Sequence, residues 1–364
     1  MAEKYIEKNL PKLGPEVSKI FDFAISKNAS DVHFSLKSKP IIRVDGKLYS
    51  IESEKVLNLE LLTNLVDSIL TEDLKKRLQK EKQVDFSFSY ADKVRFRVNI
   101  FYEKGTIAAA LRMIPTKIRT IEDLGLPPIL EKFATAAQGL FIVTGPTGHG
   151  KSTTLAAIVD YINKTRSDHI ITLEDPIEYV FENNKSLIQQ REVYNDASSF
   201  AEGLKSTLRE DPNVVLVGEM RDPESISMAL TVAETGHLVL ATLHANNAAE
   251  TVDRIIDVFP PHQQQQARFQ LANVMLGVIS QRLIPKQGGG RIAAAEIMVA
   301  TTGVRNVIRE AKTYQLFNII NTSMSDGMIS IDRVLADLVS RGEIAIDDAL
   351  VWAQDPKALK MSIY

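Results

Sequence analysis

Cysteine is absent from the 364 residues, which excludes a disulfide scaffold and any thiolate metal centre and accords with a reducing compartment. Charge of one sign is not in surplus: 43 Lys and Arg stand against 46 Asp and Glu, a formal net charge of −3. A chain that lives on nucleic acid carries a basic excess, so no nucleic-acid partner is expected. Long apolar runs are missing too. No stretch approaches the roughly 18–20 residues of a membrane span, and the opening MAEKYIEKNLPKLG is too charged to be read as a signal peptide. The expected location is the cytoplasm, with docking onto a membrane complex left open. What is present is a globular composition, 45% hydrophobic and 24% charged, which excludes disorder as the main state. The length exceeds what one hydrophobic core usually serves, so two domains are expected.

Residues 1–117 read as a small α+β domain. Val17, Ile20, Phe21, Ala24 and Ile25 fall at helical spacing within Gly14 to Asn28. A strand over Ser30 to Ser35 precedes a hairpin over Pro40 to Tyr49, turned at Asp45-Gly46. A helix is expected from Asn58 to Gln79. An antiparallel meander follows at Val84 to Tyr90, Val94 to Tyr102 and Thr106 to Met113, with turns at Ala91-Asp92-Lys93 and Glu103-Lys104-Gly105. Ile114 to Pro128, rich in proline, has linker chemistry.

Residues 118–364 change pattern. Short continuous apolar runs at Leu140 to Thr144, Ile170 to Leu173, Val214 to Val217 and Leu238 to Thr242 alternate with helical stretches, as in a parallel α/β sheet buried on both faces. A predominantly helical region is expected from about residue 261 onward. In open α/β sheets ligands bind beyond the carboxyl ends of the strands, so those ends are where chemistry is expected.

The segment Gly145, Pro146, Thr147, Gly148, His149, Gly150, Lys151 and Ser152, followed by Thr153, fits G-x-x-x-x-G-K-[ST] between a strand and an amphipathic helix. Glycines let backbone N–H groups close around phosphates, the helix start adds its dipole, Lys151 reaches the β- and γ-phosphates of ATP, and the Ser152 hydroxyl binds Mg2+. His149 reads as a solvent-facing spacer. A second strand, Val214 to Val217, leads through Gly218 to Glu219; Gly218 stands where an aspartate would be expected, so the acidic work falls to Glu219. Glu174 and Asp175 end a neighbouring strand and serve equally as a cap before Pro176. His237 and His244 bracket the last core strand. Two histidines with no third ligand make a zinc site a poor reading, whereas a strand-end histidine near a γ-phosphate senses its presence, and position favours His244. On the strand over Val94 to Ile100, Arg95, Arg97 and Asn99 share one face, either a solvated surface or arginines supplied to a phosphate on another subunit.

In this order the motifs closely resemble the secretion and type IV pilus motor ATPases, over nearly the whole chain. They are most similar to the retraction branch: the tetracysteine zinc motif of the extension motors is missing, and Gly303-Val-Arg-Asn-Val-Ile-Arg-Glu310 resembles the Ala-Ile-Arg-Asn-Leu-Ile-Arg-Glu signature of retraction motors. Two departures stand out. Gly303-Val304 replaces Ala-Ile, and His244-Ala-Asn-Asn resembles the accessory retraction paralogue. The resemblance implies a PAS-like N-terminal domain joined to a RecA-like ATPase domain, and a homohexamer acting on an inner-membrane platform protein. It further implies Glu219 as catalytic glutamate, Glu174 in an acidic box, His237 and His244 in a histidine box, and Arg95, Arg97 and Arg112 as phosphate contacts. A type II or type IV secretion ATPase, a DNA translocase and a nucleotide-sensing scaffold are the competing readings. Within Gly303 to Glu310, the residues Val304, Val307 and Ile308 form an apolar stripe, leaving Arg305, Arg309 and Glu310 available for polar contacts, and the segment is expected to couple rather than catalyse.

Overall fold

The apolar stripe of the first segment, Val17, Ile20, Phe21 and Ala24, is the buried side of α1 (Pro15–Ser26). This computed structural model describes residues 13–44, 46–90, 94–115 and 118–363; the turn read at 91–93 and Asp45 of the hairpin lie outside them. The chain divides into two units, Met1–Lys117 and Ile118–Tyr364.

In the first unit, β1 (Asp31–Phe34), β2 (Ile41–Val44), β3 (Lys47–Ser50), β4 (Gln83–Tyr90), β5 (Val94–Glu103) and β6 (Thr106–Pro115) form one antiparallel sheet in the order β3-β2-β1-β6-β5-β4. Alternation on β5 buries Val94, Phe96, Val98 and Ile100, and Phe96 meets Phe21 with ring centroids 4.3 Å apart. The expected helix over 58–79 is two helices, α2 (Leu59–Ile69) and α3 (Glu72–Glu81). Leu70 is extended and the Thr71 hydroxyl accepts the Leu74 N–H, satisfying a helix-end donor at a break that apolar spacing does not register.

In the second unit, the four apolar runs become β7 (Gly139–Thr144), β8 (His169–Glu174), β10 (Val214–Val217) and β11 (Leu238–Leu243), every residue of β7, β10 and β11 being buried. They are joined by β9 (Leu187–Glu192), β12 (Met275–Pro285) and β13 (Arg291–Val299) in the order β13-β12-β7-β11-β10-β8-β9, parallel except for β12 with β13. Helices α4 (Ile129–Ala134), α5 (Lys151–Thr165), α6 (Phe200–Thr207), α7 (Pro223–Glu234), α8 (Ala248–Asp257) and α9 (Pro261–Val274) supply the connections.

The reading of a helical region from about 261 is corrected here. Only α9 precedes two long strands, and continuous helix resumes at α10 (Thr302–Arg309), α11 (Leu316–Thr322), α12 (Ile331–Ser340), α13 (Ile346–Trp352) and α14 (Pro356–Ile363). β12 is covered on both faces, so it lacks the alternation of a half-exposed strand, and it carries Ser280, Gln281 and Arg282 in its interior. The run Lys286-Gln-Gly-Gly-Gly290 between two apolar stretches was the available hairpin signal. β13 contributes Glu296, a buried carboxylate that accepts the Ala248 N–H at 2.9 Å at the start of α8 and the Ile331 N–H at the start of α12. One acid thereby ties two helix N-termini to the sheet.

On α10 the stripe Val304, Val307 and Ile308 is buried as its spacing predicts. Arg305 is not an outward contact. Its Nε donates to Ala300 O at 3.0 Å, Nη1 to Ala272 O and Asn273 O at 2.5 and 2.6 Å, and Nη2 to Met275 O at 2.6 Å. Ala272 O and Asn273 O end α9, Met275 O opens β12 and Ala300 O precedes α10, so the guanidinium caps the C-terminus of a neighbouring helix. Among the described residues, Arg309 reaches only the Asn306 and Asn273 side chains, at the surface. Arg305→Ala is expected to lower unfolding stability by about 2–4 kcal/mol, the range for orphaning several charged hydrogen bonds, and Arg309→Ala by under about 1 kcal/mol. Urea midpoints check this; equal effects would refute the cap.

Candidate active site at the phosphate-binding loop

Gly145–Gly150 connects the end of β7 to the start of α5, whose first residue is Lys151. Gly145 has φ +144°, and a Cβ there would lie 2.4 Å from Gln281 O, so both conformation and the neighbouring strand demand glycine. Lys151 is buried, with Nζ donating to Gly145 O and Pro146 O at 3.0 Å each and standing 3.3 Å from His244 Nδ1. Burial pushes the ammonium pKa down, while Glu219 and Glu178 oppose the shift.

Strand order brings the acidic partner to this loop. β11 lies between β7 and β10, so the residues beyond all three strands share one edge. His244 Nε2 stands 3.3 Å from Glu219 Oε1, and Arg221 Nη2 donates to Glu219 Oε2 at 2.7 Å. His244 bridges the two groups, its Nδ1 facing Lys151 Nζ and its Nε2 facing Glu219 Oε1. Burial alone would raise the Glu219 pKa; the Arg221 hydrogen bond, with His244 and Lys151, outweighs it and holds the carboxyl below the ordinary range. Glu219 is therefore ionised at neutral pH. Thr144 fixes the His244 loop, donating to Leu243 O at 3.0 Å and accepting the Ala245 N–H at 2.9 Å.

Gly218 answers why no aspartate occupies that position. A Cβ there would meet Glu174 Cα and Leu173 O at 3.2 Å, because β8 and β10 run in tight register. Glu174 itself is buried beside the site and accepts from Thr172 Oγ1 at 2.7 Å and from the Glu178 N–H and Gln190 side chain at 3.3 Å each. It braces the loop after β8. His237 is not brought to the site. It precedes β11, at the opposite end from His244, about 20 Å away for a six-residue strand, and its Nδ1 pairs with Val232 O at 2.9 Å.

His149 is also corrected from a solvent-facing spacer. Its Nδ1 accepts the Leu283 N–H at 3.0 Å, and its ring meets Trp352 of α13 edge-on at 5.1 Å. Burial, then Arg282, Arg291 and Lys151, lower its pKa and keep it neutral. The Arg282 guanidinium lies over the Trp352 ring at 5.4 Å. Thr153 Oγ1 is 2.8 Å from the Tyr179 hydroxyl. A cavity of about 400 Å³ adjoins Glu219 and His244, walled by Met220, Ile226, Leu243 and Val258. Among the described residues no cluster of three metal-ligating side chains occurs; Ser152 at the helix start and the ionised Glu219 are hard oxygen donors that suit Mg2+ shared with phosphates. Arg221, Gln281 and Arg282 were missed in the sequence, although Arg221 stands inside the Val217 to Asp222 motif.

In the first unit, register places Arg43, Asp31, Arg112, Arg97 and Ser87 in one row across β2, β1, β6, β5 and β4. Arg112 Nε pairs with Asp31 Oδ1 at 3.1 Å, and Arg95 Nη2 donates to Ser87 Oγ at 2.5 Å. Arg97 makes no hydrogen bond or ion pair among the described residues and lies directly opposite Arg112, an unfavourable like-charge pair.

Comparison with known proteins adds the family context. The family model described as type II/IV secretion system protein matches residues 7–334. The type IV pilus retraction ATPase PilT of Pseudomonas aeruginosa is 44% identical over 342 residues, 94% of this chain and 99% of that one. The type IV pilus ATPase PilU of the same organism is 36% identical over 349 residues, 96% of this chain and 91% of that one. A crystal structure of the pilus retraction motor PilT and bound ADP matches with a TM-score of 0.88 at 45% identity, covering 94% of this chain and 98% of that chain.

Burial raises the Glu174 pKa against the hydrogen bonds from Thr172, Glu178 and Gln190. A folded state that favours the protonated acid gains stability fully present below the unfolded value of about 4.3 and lost as pH rises through the raised folded value. Glu174→Gln cannot titrate. Its unfolding midpoint is expected to rise relative to that of the parent chain as pH increases above about 4, where the parent loses this contribution. A pH-independent difference in urea titrations would contradict the raised pKa.

Proposed function

Since the chain belongs to the type II/IV secretion system protein family, we propose that it is an ATP-hydrolysing motor that powers type IV pilus retraction. In this reading it works as a homohexamer in the cytoplasm, docked at the inner membrane on the platform protein of the pilus machine. Its higher identity to PilT than to PilU supports the retraction motor itself over the accessory paralogue, which stands as a possible partner. The observation that carries the chemistry is the chain of contacts Lys151, His244, Glu219 and Arg221 at the carboxyl edge of the parallel sheet.

The steps follow from these side chains. The loop N–H groups and the α5 N-terminus receive the phosphates. Lys151 exchanges two carbonyl acceptors and the His244 nitrogen for phosphate oxygens, which offer a full negative charge to an ammonium already stripped of water. Glu219, kept ionised by Arg221, orients the attacking water and draws on its proton. His244 touches both residues, so its hydrogen bonds rearrange when Lys151 turns to the γ-phosphate. Ser152 would hold Mg2+, which supplies positive charge against the phosphate oxygens when bound. Arg97, free of a partner among the described residues, is the arginine best suited to a phosphate on a neighbouring subunit.

Substitutions at Lys151, Glu219 and Arg97 test this reading. Lys151→Ala is expected to abolish ATP binding, whereas Glu219→Gln keeps binding and loses at least about a hundredfold in turnover. Near-normal turnover by Glu219→Gln would remove it from the catalytic role. Arg97→Ala is expected to depress ATPase activity while leaving stability within about 0.5 kcal/mol or raising it, since the like-charge pair with Arg112 is relieved. Mixed rings of Arg97→Ala and Lys151→Ala chains should recover part of the activity; verified mixed rings without recovery would exclude action across subunits.

A further inference from the structure

β12 carries three consecutive buried polar side chains, Ser280, Gln281 and Arg282, in a strand otherwise apolar. Such burial is costly unless each group is paired, and here each is. Gln281 Nε2 donates to His149 O at 3.0 Å, and its Oε1 accepts the Thr154 hydroxyl at 2.7 Å. Ser280 Oγ donates to Asn246 O at 3.1 Å, Arg282 Nη2 donates to the same Asn246 carbonyl, and Arg282 Nη1 donates to Gln281 O at 3.0 Å. Adjacent residues of one strand therefore grip two separate loops: Gln281 holds the phosphate-binding loop, and Ser280 with Arg282 holds the loop that carries His244.

We propose that Gln281 and Arg282 are positioning residues with separable roles, Gln281 for nucleotide binding and Arg282 for the hydrolytic step. The proposal rests on the ATPase reading above. In a planar trans peptide the C=O and the following N–H point in opposite directions. Fixing the His149 carbonyl toward β12 therefore turns the Gly150 N–H away from that strand, to the inside of the loop where phosphate is bound. Gln281 sets a binding donor. Arg282 acts two residues from His244: Asn246 is held by its carbonyl and Ala245 by Thr144. With the two following residues pinned, the imidazole is set between Lys151 and Glu219.

The test is a split between affinity and turnover in the full-length chain, using ATP hydrolysis for kcat and KM and equilibrium titration with a fluorescent ADP derivative for binding. Gln281→Leu, close in volume but unable to hydrogen-bond, is expected to weaken ADP binding and raise KM about tenfold with kcat within about threefold. Arg282→Met is expected to lower kcat about tenfold with ADP affinity within about threefold. Where Arg282→Met fails to fold, Arg282→Lys is read in the same way, because an ammonium keeps the charge but loses the planar fork. Variants that both change the same parameter, or that change only the melting temperature with kcat and KM per folded site unmoved, overturn the proposal. A parent chain that neither binds the ADP derivative nor hydrolyses ATP overturns the ATPase reading itself.

Discussion

The ammonium of Lys151 is buried, and much of the second unit follows from the need to compensate it. A charge taken out of water costs several kcal/mol unless nearby dipoles and counter-charges replace the solvent. Gly145 O, Pro146 O and the His244 ring do so directly, and Glu219 does so through His244. Those partners come from the ends of three different strands. β7, β11 and β10 must therefore be neighbours, in parallel, and in the register that pairs Thr144 with Leu243 and Ala241 with Val217. A slip of one residue would turn His244 or Glu219 to the wrong face of the sheet. The tight approach of β8 to Gly218 belongs to the same constraint, since β10 cannot shift outward without opening the edge where Glu219 sits.

What the sequence made legible is what local physics encodes. Glycine spacing around Lys151, continuous apolar strands and the alternation of Arg95, Phe96 and Arg97 each specify a conformation within a few residues. Features that depend on a distant partner were not legible. Arg305 lies on a helix whose period says only that it faces away from Val304 and Val307; three of the four carbonyls it binds are brought to it by α9 and β12. His149 occupies a variable position in its motif, and nothing nearby in sequence announces Leu283 or Trp352. His237 and His244 look equivalent as a pair around a strand, and only the polarity of a parallel sheet separates the carboxyl edge, where Lys151 and Glu219 lie, from the opposite one. β12 escaped because its interior polar residues mask a buried strand, while the glycine-rich turn after it was overlooked.

Polar groups inside apolar elements link the parts of the second unit. Glu296 on β13 holds the starts of α8 and α12, and Gln281 with Arg282 on β12 holds the phosphate-binding and His244 loops. The antiparallel hairpin thus connects the nucleotide edge to the C-terminal helices through hydrogen bonds, which have direction, in addition to apolar contact, which does not. The edge that carries Lys151 and the helices that follow β13 share one hydrogen-bonded hairpin.

Trp352 gives this arrangement an optical property. It is the one tryptophan of the chain, and it stands edge-on to His149 and beneath the Arg282 guanidinium. Indole emission responds to nearby charge, and all tryptophan emission of the protein originates at the seam between the Gly145–Gly150 loop and α13. The molecule carries its own spectroscopic label at this seam, next to the loop that holds Lys151.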